Sequence, residues 1–236
     1  MKWGDRYSAD YANRLYSAVR RNLDGALRFI CYTDDSRDIA PEIETHPLPG
    51  INIPDRVSIT GWRKLSIWRD DLRELDGDIL FLDLDIVVTG ALDPFFEFSP
   101  GAYCVIENWT QLGRNIGNTS VFRFPAKRYA KIFDAFNKDP EAVLRVHDIE
   151  QKYISAEIPE QKFWPADWCQ SFKANLLPRF PMNWLTAPRL PAAARVVAFT
   201  GHPDPHEARD GVWPAPFYKR IYKHVRPTPW IAEHWR

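Results

Sequence analysis

The sequence predicts an α/β fold in which helices flank a mixed, mostly parallel sheet. Short apolar runs alternate along the chain with segments whose apolar residues recur at helical spacing. The run "ILFL" at residues 79–82 is apolar at every position, which is typical of a strand buried on both faces. Polar or glycine positions follow several of these runs, at Asp34, Asp35, Asp83, Asp85 and Gly201. Because ligands of such sheets bind at the carboxyl ends of strands, we expect one shared cleft there.

Each element is predicted from its own pattern. The first helix, residues 8–23, places Tyr11, Leu15 and Val19 on one face and begins at Ser8, a residue type favoured at helix N-caps. The second, residues 61–78, is amphipathic and is expected to end at Gly77. Further helices are predicted over residues 126–139, 147–158 and 215–225, and strands over residues 27–33, 42–48, 79–85, 101–108, 118–124 and 194–201.

Composition narrows the classes of function. The 236 residues carry no formal net charge, so no basic surface for nucleic acid is indicated. The three cysteines form no C-x-x-C pair, which argues against a zinc site or a disulfide framework and favours a reducing compartment. No apolar run approaches the roughly 20 residues of a membrane-spanning helix. We therefore expect a cytoplasmic protein that does not bind nucleic acid.

The D-x-D of the segment "ILFLDLDIVVTG" is the main chemical signal. Residues two apart on a strand face the same way, so Asp83 and Asp85 could hold one cation. Oxygen ligands alone suit Mg²⁺ or Mn²⁺, which complete their coordination with water and substrate phosphates. The alternative is structural, with one aspartate capping the following turn and the other exposed to solvent.

One enzyme class consistent with this string is the haloacid-dehalogenase-type phosphatase. The segment "LFLDLDIVV" fits its pattern of an apolar strand followed by D-x-D-x-[TV], and Asp83 would then be the nucleophile. Two features count against this interpretation. The motif lies mid-chain instead of on the first strand, and the late strand "RVVAFTG" carries no acidic pair.

A second resemblance extends over most of the chain. Six segments resemble, in the same order, segments of bacterial glycosyltransferases related to family 8. They are "KWGDRYSADYANRLYSAVRRNL", "RFICYTDD", "ILFLDLDIVVTGALDPFF", "GNTSVFRF", "IEQKYIS" and "VVAFTGHPDPH". The resemblance implies a GT-A fold, a Rossmann-like sheet that holds a UDP-sugar and Mn²⁺. It also implies a single domain over residues 1–236, with a nucleotide and metal half at about 1–125 and an acceptor-side half at about 126–236.

The resemblance assigns roles around the donor diphosphate. Asp83 and Asp85 would bind the metal ion that bridges the two phosphates. Asp34 and Asp35 would lie near the nucleotide or the sugar, although an Asx-turn after the strand explains them equally well. Arg63 or Lys64 would offset the diphosphate charge, with a solvated helix face as the alternative.

The remaining roles concern the reacting sugar. Asn118 would hydrogen-bond the donor sugar or the acceptor, and its alternative is a turn residue after Gly117. Glu150 and Gln151 would approach the anomeric carbon. The family's chemistry retains the anomeric configuration, and the leaving diphosphate takes the acceptor's proton. Electrostatic stabilisation of an oxocarbenium-like transition state would then dominate.

The sequence departs from the family's pattern at two places. The family has a nucleotide-binding strand before the "KWG" turn, and this sequence opens at the turn itself. The family also supplies a third metal ligand from a late-loop histidine, and Thr200 occupies the nearest corresponding position. We expect His202 to take that role, with His206 as the other choice and a plain surface histidine as the alternative.

The resemblance and the C-terminal sequence also bear on the acceptor substrate and on the cellular location. The resemblance implies transfer to a glycan or a lipid-linked sugar, and the irregular, proline-rich stretch 164–191 could form the acceptor-facing lobe. The C-terminal segment "FYKRIYKHVRPTPWIAEHWR" interleaves basic and aromatic residues, a pattern of peripheral contact with the inner membrane face or of a tail packed on the body. A glycosyltransferase is thus the first hypothesis, a phosphatase the second, and a non-catalytic nucleotide-sugar-binding protein the third.

Overall fold

A computed structural model describes residues 1–236. Its strands are β1 (Ile30–Thr33), β2 (Glu44–Pro47), β3 (Asp78–Leu82), β4 (Ile86–Val88), β5 (Cys104–Glu107), β6 (Gly117–Pro125), β7 (Lys162–Phe163), β8 (Cys169–Ser171) and β9 (Val196–Ala198). Its α-helices are α1 (Ala9–Asn22), α2 (Asp93–Glu97), α3 (Ala130–Lys138), α4 (Pro140–Val146), α5 (Glu150–Glu157), α6 (Pro205–Asp210) and α7 (Trp230–His234).

The chain divides into two compact units that interleave along the sequence. Unit 1 comprises residues 1–9, 28–83 and 94–164, and unit 2 comprises residues 10–27, 84–93 and 165–236. A boundary between two halves was predicted from the sequence near residue 125. Residues on both sides of that position belong to unit 1.

Unit 1 contains a four-stranded sheet of order β3-β6-β5-β7 and a separate parallel pair, β1 and β2. Strand β6 runs antiparallel to both β3 and β5, and β5 runs parallel to β7. All residues of β6 before its last are buried, because the strand lies between two neighbours and is covered on its faces. The opening of β6 and the end of β3 meet at one edge of this sheet, since Leu82 pairs with Val121.

The core of unit 1 is aromatic. Trp68 is 1% exposed and stacks on Phe122, with the ring centroids 5.7 Å apart. It also contacts the rings of Tyr103, Phe124 and Tyr129. Trp68 ends a 3₁₀ helix, Gly61–Trp68, in which six residues are buried. That helix therefore packs within the core and positions the side chains on it rigidly.

Unit 2 contains a three-stranded sheet of order β4-β9-β8, with β9 antiparallel to β4 and parallel to β8. The strands β4 and β9 are buried at every residue. Helices α1 and α7 meet where the Arg14 guanidinium lies 4.6 Å from the Trp235 ring and donates a hydrogen bond to the Trp235 carbonyl. Tyr11 of α1 packs edge-on against the same tryptophan.

The predicted α/β class with a mixed sheet is confirmed, and the parallel share is smaller than expected. The strands form three sheets, and three of the six strand pairs are antiparallel. Helices α1, α3 and α5 lie inside predicted helices. Helices α2, α4, α6 and α7 and the strands β7 and β8 were not predicted from the sequence. With seven residues, α4 is too short for a helical period to show, although Asp139, which accepts a hydrogen bond from the Ala142 amide, and the proline after it are typical of a helix start.

Two predicted helices are wrong. The segment 61–78 is a 3₁₀ helix only as far as Trp68, after which Arg69 adopts an extended backbone (φ −60°, ψ 143°). Its apolar residues are buried on several sides, so the amphipathic stripe that the prediction relied on is absent. The segment 215–225 contains only a short 3₁₀ turn, Phe217–Lys219. Four of its apolar side chains, Phe217, Tyr218, Ile221 and Tyr222, are exposed, and a short helix that packs so little has low stability of its own.

The strand predicted through Asp85 is also shorter than expected, because β3 ends at Leu82. The Asp83 amide still donates to the Ser120 carbonyl at 2.9 Å. The chain then turns, and β4 of the three-stranded sheet begins at Ile86. Carboxylates are costly to bury in an apolar sheet, so the two aspartates occupy the turn between strands. No helix of the structure is long and apolar enough to cross a membrane.

Candidate active site

The Asp83 carboxylate is held by a buried lysine in unit 1. The Nζ of Lys64 lies 2.6 Å from Oδ1 and 2.7 Å from Oδ2 of Asp83. Lys64 comes from the packed 3₁₀ helix, is 8% exposed, and also donates to the Thr119 carbonyl at 3.2 Å. An ion pair this well shielded requires both partners, since removing either leaves a buried charge. Of the two predicted cations, Lys64 is the one that faces Asp83.

A second buried carboxylate lies next to this pair. Glu150, the first residue of α5, is 7% exposed and accepts a hydrogen bond from the Thr119 hydroxyl at 2.9 Å. Its carboxylate packs directly on the backbone of Gly61, where a Cβ atom would lie 2.5 Å from Oε1. Thr119 thus connects Lys64 through its carbonyl and Glu150 through its hydroxyl. Lys64, Thr119 and Glu150 form one polar network with Asp83 at the edge of the β3–β6 sheet.

Asn118 and Gln151 adjoin this network in the chain. Asn118 is 6% exposed, and its Oδ1 accepts a hydrogen bond from the Ser120 amide at 3.0 Å. Gln151 is half-buried, and its Oε1 accepts a hydrogen bond from Nδ2 of Asn108 at 3.1 Å. Helix α5 is fixed to β6 through the Ser155 hydroxyl, which accepts from the Gly117 amide at 2.9 Å. The structure therefore brings Lys64, Asp83, Asn118, Glu150 and Gln151 onto neighbouring elements of unit 1.

The other three candidates of unit 1 make local contacts. Asp34 accepts a hydrogen bond from the Gly4 amide at 2.9 Å. Asp35 accepts from the backbone and the guanidinium of Arg37, an Asx-turn with an ion pair. Those bonds hold the pKa of Asp35 well below its ordinary value. Arg63 donates from Nε to the Ser58 carbonyl at 3.1 Å.

Unit 2 holds Asp85 and the late loop. The Asp85 carbonyl accepts a hydrogen bond from the Phe199 amide at 3.0 Å, which extends the β4–β9 ladder by one step. The loop after β9 begins at Phe199, so it starts beside Asp85. The Thr200 carbonyl in that loop accepts a hydrogen bond from the Lys173 ammonium.

His202 belongs to a compact group in that loop. Its Nδ1 lies 2.8 Å from a Glu207 oxygen and 3.7 Å from an Asp204 oxygen. Single ligand atoms of His202, Asp204 and Glu207 all lie within 4.8 Å of one another, so the three could hold a metal ion. Asp204 and Glu207 also form the capping box of α6, which explains their proximity without an ion.

The ligand atoms of Asp83, Asp85 and His202 fit the metal ion that the sequence predicts. Asp83 and Asp85 offer only oxygen, which suits Mg²⁺ or Mn²⁺. The Lys64 ammonium already neutralises one of these carboxylates, so fewer positive charges are needed to balance the motif. The Nδ1 of His202 is turned toward Glu207, and the other ring nitrogen is the one that could face an ion.

Sequence reasoning missed Asn108, Thr119, Asp204 and Glu207. Thr119 stands beside Asn118 in "GNTS", and Asn108 directly follows β5, so each had a positional signal. The capping box was readable as aspartate followed three residues later by glutamate in "DPHE". What the sequence did not contain was which partner each side chain would reach.

Comparisons with known proteins give a clear result only at the level of structure. No family model matches the sequence, and no curated protein matches it. The fold resembles that of the galactosyltransferase LgtC, solved in complex with donor and acceptor sugar analogues, with a TM-score of 0.59 and 15% identity over 86% of this chain and 87% of LgtC.

Two further structures support the same fold. An active-site mutant of LgtC, in which a glutamine is replaced by glutamate, gives a TM-score of 0.59 over 93% of this chain and 98% of that one, at 15% identity. The glycosyltransferase GlyE of Streptococcus pneumoniae gives 0.58 over 86% of this chain, at 14% identity, and the match spans 55% of GlyE. The chain therefore has the fold of these glycosyltransferases.

Proposed function

We propose that this protein is a retaining, metal-dependent glycosyltransferase that transfers a sugar from a nucleotide-sugar, most simply a UDP-sugar. The observation that carries the proposal is the network of Lys64, Asp83, Thr119 and Glu150 within a glycosyltransferase fold. The buried Lys64 ammonium fixes the Asp83 carboxylate at the end of a strand, and carboxylate oxygens are the ligands that Mg²⁺ and Mn²⁺ prefer. The fold similarity favours this function over the phosphatase hypothesis.

The proposed roles divide between binding and reaction. Asp83 and Asp85 would hold a Mn²⁺ or Mg²⁺ ion, and His202 would be the third protein ligand. When bound, such an ion neutralises negative charge on a departing diphosphate. Lys64 fixes the orientation of Asp83 and adds a positive charge beside it, while Arg63, Asp34 and Asp35 border the nucleotide. Glu150, Gln151 and Asn118 surround the reacting sugar.

The reaction that this arrangement favours proceeds on one face of the sugar. The two groups that we propose to lie nearest the reacting sugar are the buried Glu150, which accepts from Thr119, and a neutral amide, Gln151. Neither is an exposed carboxylate nucleophile. We therefore propose that the acceptor hydroxyl attacks from the side of the leaving diphosphate, which takes the hydroxyl proton, and that fixed dipoles stabilise the transition state.

The acceptor we propose is a glycan or a lipid-linked sugar at a membrane surface. Unit 2 exposes an apolar patch made of two segments, with Phe180, Met182, Trp184, Leu185, Phe217, Tyr218, Ile221 and Tyr222. Trp184 joins the segments, because its Nε1 donates to the Ile221 carbonyl at 2.8 Å and its ring stacks on His224. Single exposed apolar residues are ordinary, whereas a contiguous group marks an interaction surface.

The charges around the patch favour an anionic bilayer as its partner. The segment 211–232 contains Lys219, Arg220, Lys223 and Arg226 but no acidic residue. Basic side chains beside exposed aromatic rings suit the headgroup region of an anionic leaflet. All three cysteines are free and buried, which supports the cytoplasmic side of the membrane.

Vesicle flotation tests the membrane proposal. The wild type should float with vesicles that contain anionic lipid and stay behind with purely zwitterionic ones. The double variant Phe217→Ser, Ile221→Ser should lose flotation, while the control Val146→Ser, which changes an equally exposed residue of unit 1, should not. Equal flotation of all three proteins would exclude this patch as the contact.

A thermal-shift panel tests the proposed activity. UDP-, GDP- and CDP-sugars, each with and without Mn²⁺, should raise the melting temperature for one base and sugar only, because a ligand that binds the folded state stabilises it by mass action. The absence of a shift with every nucleotide-sugar would contradict the proposed function.

The metal assignment is tested with isosteric variants, because asparagine at residue 83 keeps an oxygen that accepts a hydrogen bond from the buried Lys64, whereas a truncated side chain would leave Lys64 without any acceptor there. Asp83→Asn and Asp85→Asn should each abolish the Mn²⁺-dependent part of the shift. The control Asp134→Asn, an exposed position on α3, should behave as the wild type does. Once the donor is known, NMR of the product should show the anomeric configuration of the donor, and an inverted product would rule out the retaining route.

A further inference from the structure

A short chain of hydrogen bonds fixes the orientation of two side-chain amides in unit 1. It begins at the backbone N–H of Thr110, which donates to Oδ1 of Asn108 at 3.0 Å. A backbone N–H can only donate, so the atom that receives it must be the carbonyl oxygen of the asparagine. The Thr110 hydroxyl donates to the same oxygen at 2.8 Å. The orientation of the Asn108 amide is therefore determined by its partners.

The second bond transmits this orientation to α5. With its oxygen directed at Thr110, Asn108 presents Nδ2 to Gln151, and Nδ2 can only donate. The atom of Gln151 that lies 3.1 Å away must accordingly be its oxygen, Oε1. The geometry leaves no freedom to exchange oxygen and nitrogen at either amide, an exchange that amides otherwise allow.

Asn108 itself is held firmly. It is 8% exposed. Its backbone N–H donates to the Ile116 carbonyl at 2.9 Å, and its backbone carbonyl accepts from the backbone N–H of Gln111 at 2.9 Å. Gln151 differs, since it is half-buried and its Nε2 has no hydrogen-bond partner within the protein. The free end of the Gln151 side chain is thus an N–H donor.

We infer that Asn108 is a positioning residue that fixes Gln151 with its Nε2 donor, and not its carbonyl oxygen, directed at the substrate. The inference rests on the proposed function, in which Gln151 borders the reacting sugar. It assigns Gln151 the role of a hydrogen-bond donor to a substrate oxygen, one that carries more negative charge in the transition state than in the ground state. The Gln151 oxygen, held by Asn108, is not available to attack the anomeric carbon.

Two isosteric variants test this arrangement. In Asn108→Asp, one oxygen still accepts from Thr110 and the other can only accept, so the Gln151 amide must rotate and lose its outward donor. In Gln151→Glu, the carboxylate still accepts from Asn108 but cannot donate at all. The control Thr110→Val removes only the hydroxyl bond and keeps the backbone bond that orients Asn108.

Kinetics with the nucleotide-sugar that gives the largest thermal shift provide the first measurement. We expect Asn108→Asp and Gln151→Glu each to lower kcat about 10- to 100-fold, as expected for a misplaced reacting group, with KM changed by less than about threefold. Thr110→Val should keep the wild-type kcat. An undiminished kcat in either isosteric variant, or an equal loss in Thr110→Val, would overturn the inference.

NMR of ¹⁵N-glutamine-labelled protein provides a measurement that needs no substrate. The Gln151 side-chain NH₂ signals, identified by their loss in Gln151→Glu, should exchange rapidly with water in the wild type and in Thr110→Val. In Asn108→Asp they should shift and become protected, because Nε2 now bonds a carboxylate. Unchanged signals in that variant would contradict the inference even if the proposed function were correct. If no nucleotide-sugar binds, the proposed function fails and the NMR result still decides the amide orientation.

Discussion

Gly61 illustrates how a single residue can set the position of a candidate catalytic group. Its missing side chain lets the Glu150 carboxylate lie against the backbone of the 3₁₀ helix that carries Lys64. From there Glu150 accepts a hydrogen bond from the Thr119 hydroxyl, and the backbone carbonyl of the same threonine accepts one from Lys64. A side chain at residue 61 would have to displace a buried carboxylate from its hydrogen bond.

The first prediction concerns this contact. Gly61→Ala should destabilise the protein by about 1–3 kcal/mol, the usual effect of overpacking a filled core. Its Cβ would lie 2.5 Å from Oε1 and 2.6 Å from Cδ of Glu150. Urea unfolding measures the change. The control Gly50→Ala, whose Cβ would meet its nearest atom at 3.6 Å, should stay within about 0.5 kcal/mol of the wild type.

Among elements, the junction between α2 and β6 depends on one buried arginine. Arg123 is fully buried and donates to the carbonyls of Phe95, Phe96 and Ser99. The first two carbonyls belong to α2, where the last turn of a helix leaves acceptors without partners. The guanidinium also faces the Trp164 ring, 5.8 Å away. Arg123 thus satisfies a helix end inside the core, where water does not reach.

The second prediction tests this junction. Arg123→Met should lower the free energy of unfolding by at least about 3 kcal/mol, because several buried carbonyls lose their donor at about 1–3 kcal/mol each. Arg123→Lys should recover only part of the loss, since an ammonium cannot reach all the carbonyls from one position. The control Arg128→Met removes an exposed arginine bonded to a single carbonyl, and we expect a change below about 1 kcal/mol. Equal stability of the Arg123 and Arg128 variants in chemical denaturation would refute this role.

Element boundaries show where sequence patterns lose information. The apolar run "ILFL" correctly predicts the strand β3, and the periodicity of residues 8–23 correctly predicts α1. The expectation that "ILFL" is buried on both faces is wrong, because β3 is an edge strand in which only Phe81 is fully buried. The run 61–68 also carries apolar residues, Trp62, Leu65, Ile67 and Trp68, but its backbone is a 3₁₀ helix packed into the aromatic core. Local patterns report which residues seek burial, and the surrounding elements decide which backbone conformation achieves it.

For the molecule as a whole, acid should weaken the fold through two histidines. Burial lowers the pKa of His224 below its ordinary value of 6.5, and the positive charge of Arg226 lowers it further. Burial likewise lowers the pKa of His234. The unfolded chain therefore binds protons more readily than the folded one, so this contribution to stability is present above pH 6.5 and is lost as the pH falls through the lowered pKa values.

The third prediction follows from that sign. The melting temperature should fall between about pH 7.5 and pH 5.5, a window above the range in which carboxylates titrate. The double variant His224→Gln, His234→Gln should show a smaller fall over the same interval, because glutamine binds no proton. Calorimetric scans of both proteins at the two pH values make the comparison. An identical fall in both would assign the acid sensitivity to other groups.

The sequence by itself determined the α/β class, the strand that leads to the D-x-D, and the chemical types of the candidate groups. The tertiary structure alone decided their partners: Asp83 with Lys64, Glu150 with Thr119, and Gln151 with Asn108, residues 19, 31 and 43 positions apart. Hydrophobic periodicity is a local property, so it survives in the sequence. The partner of a buried polar group depends on which distant elements pack around it, and the need to satisfy each such group selects one arrangement only in the folded chain.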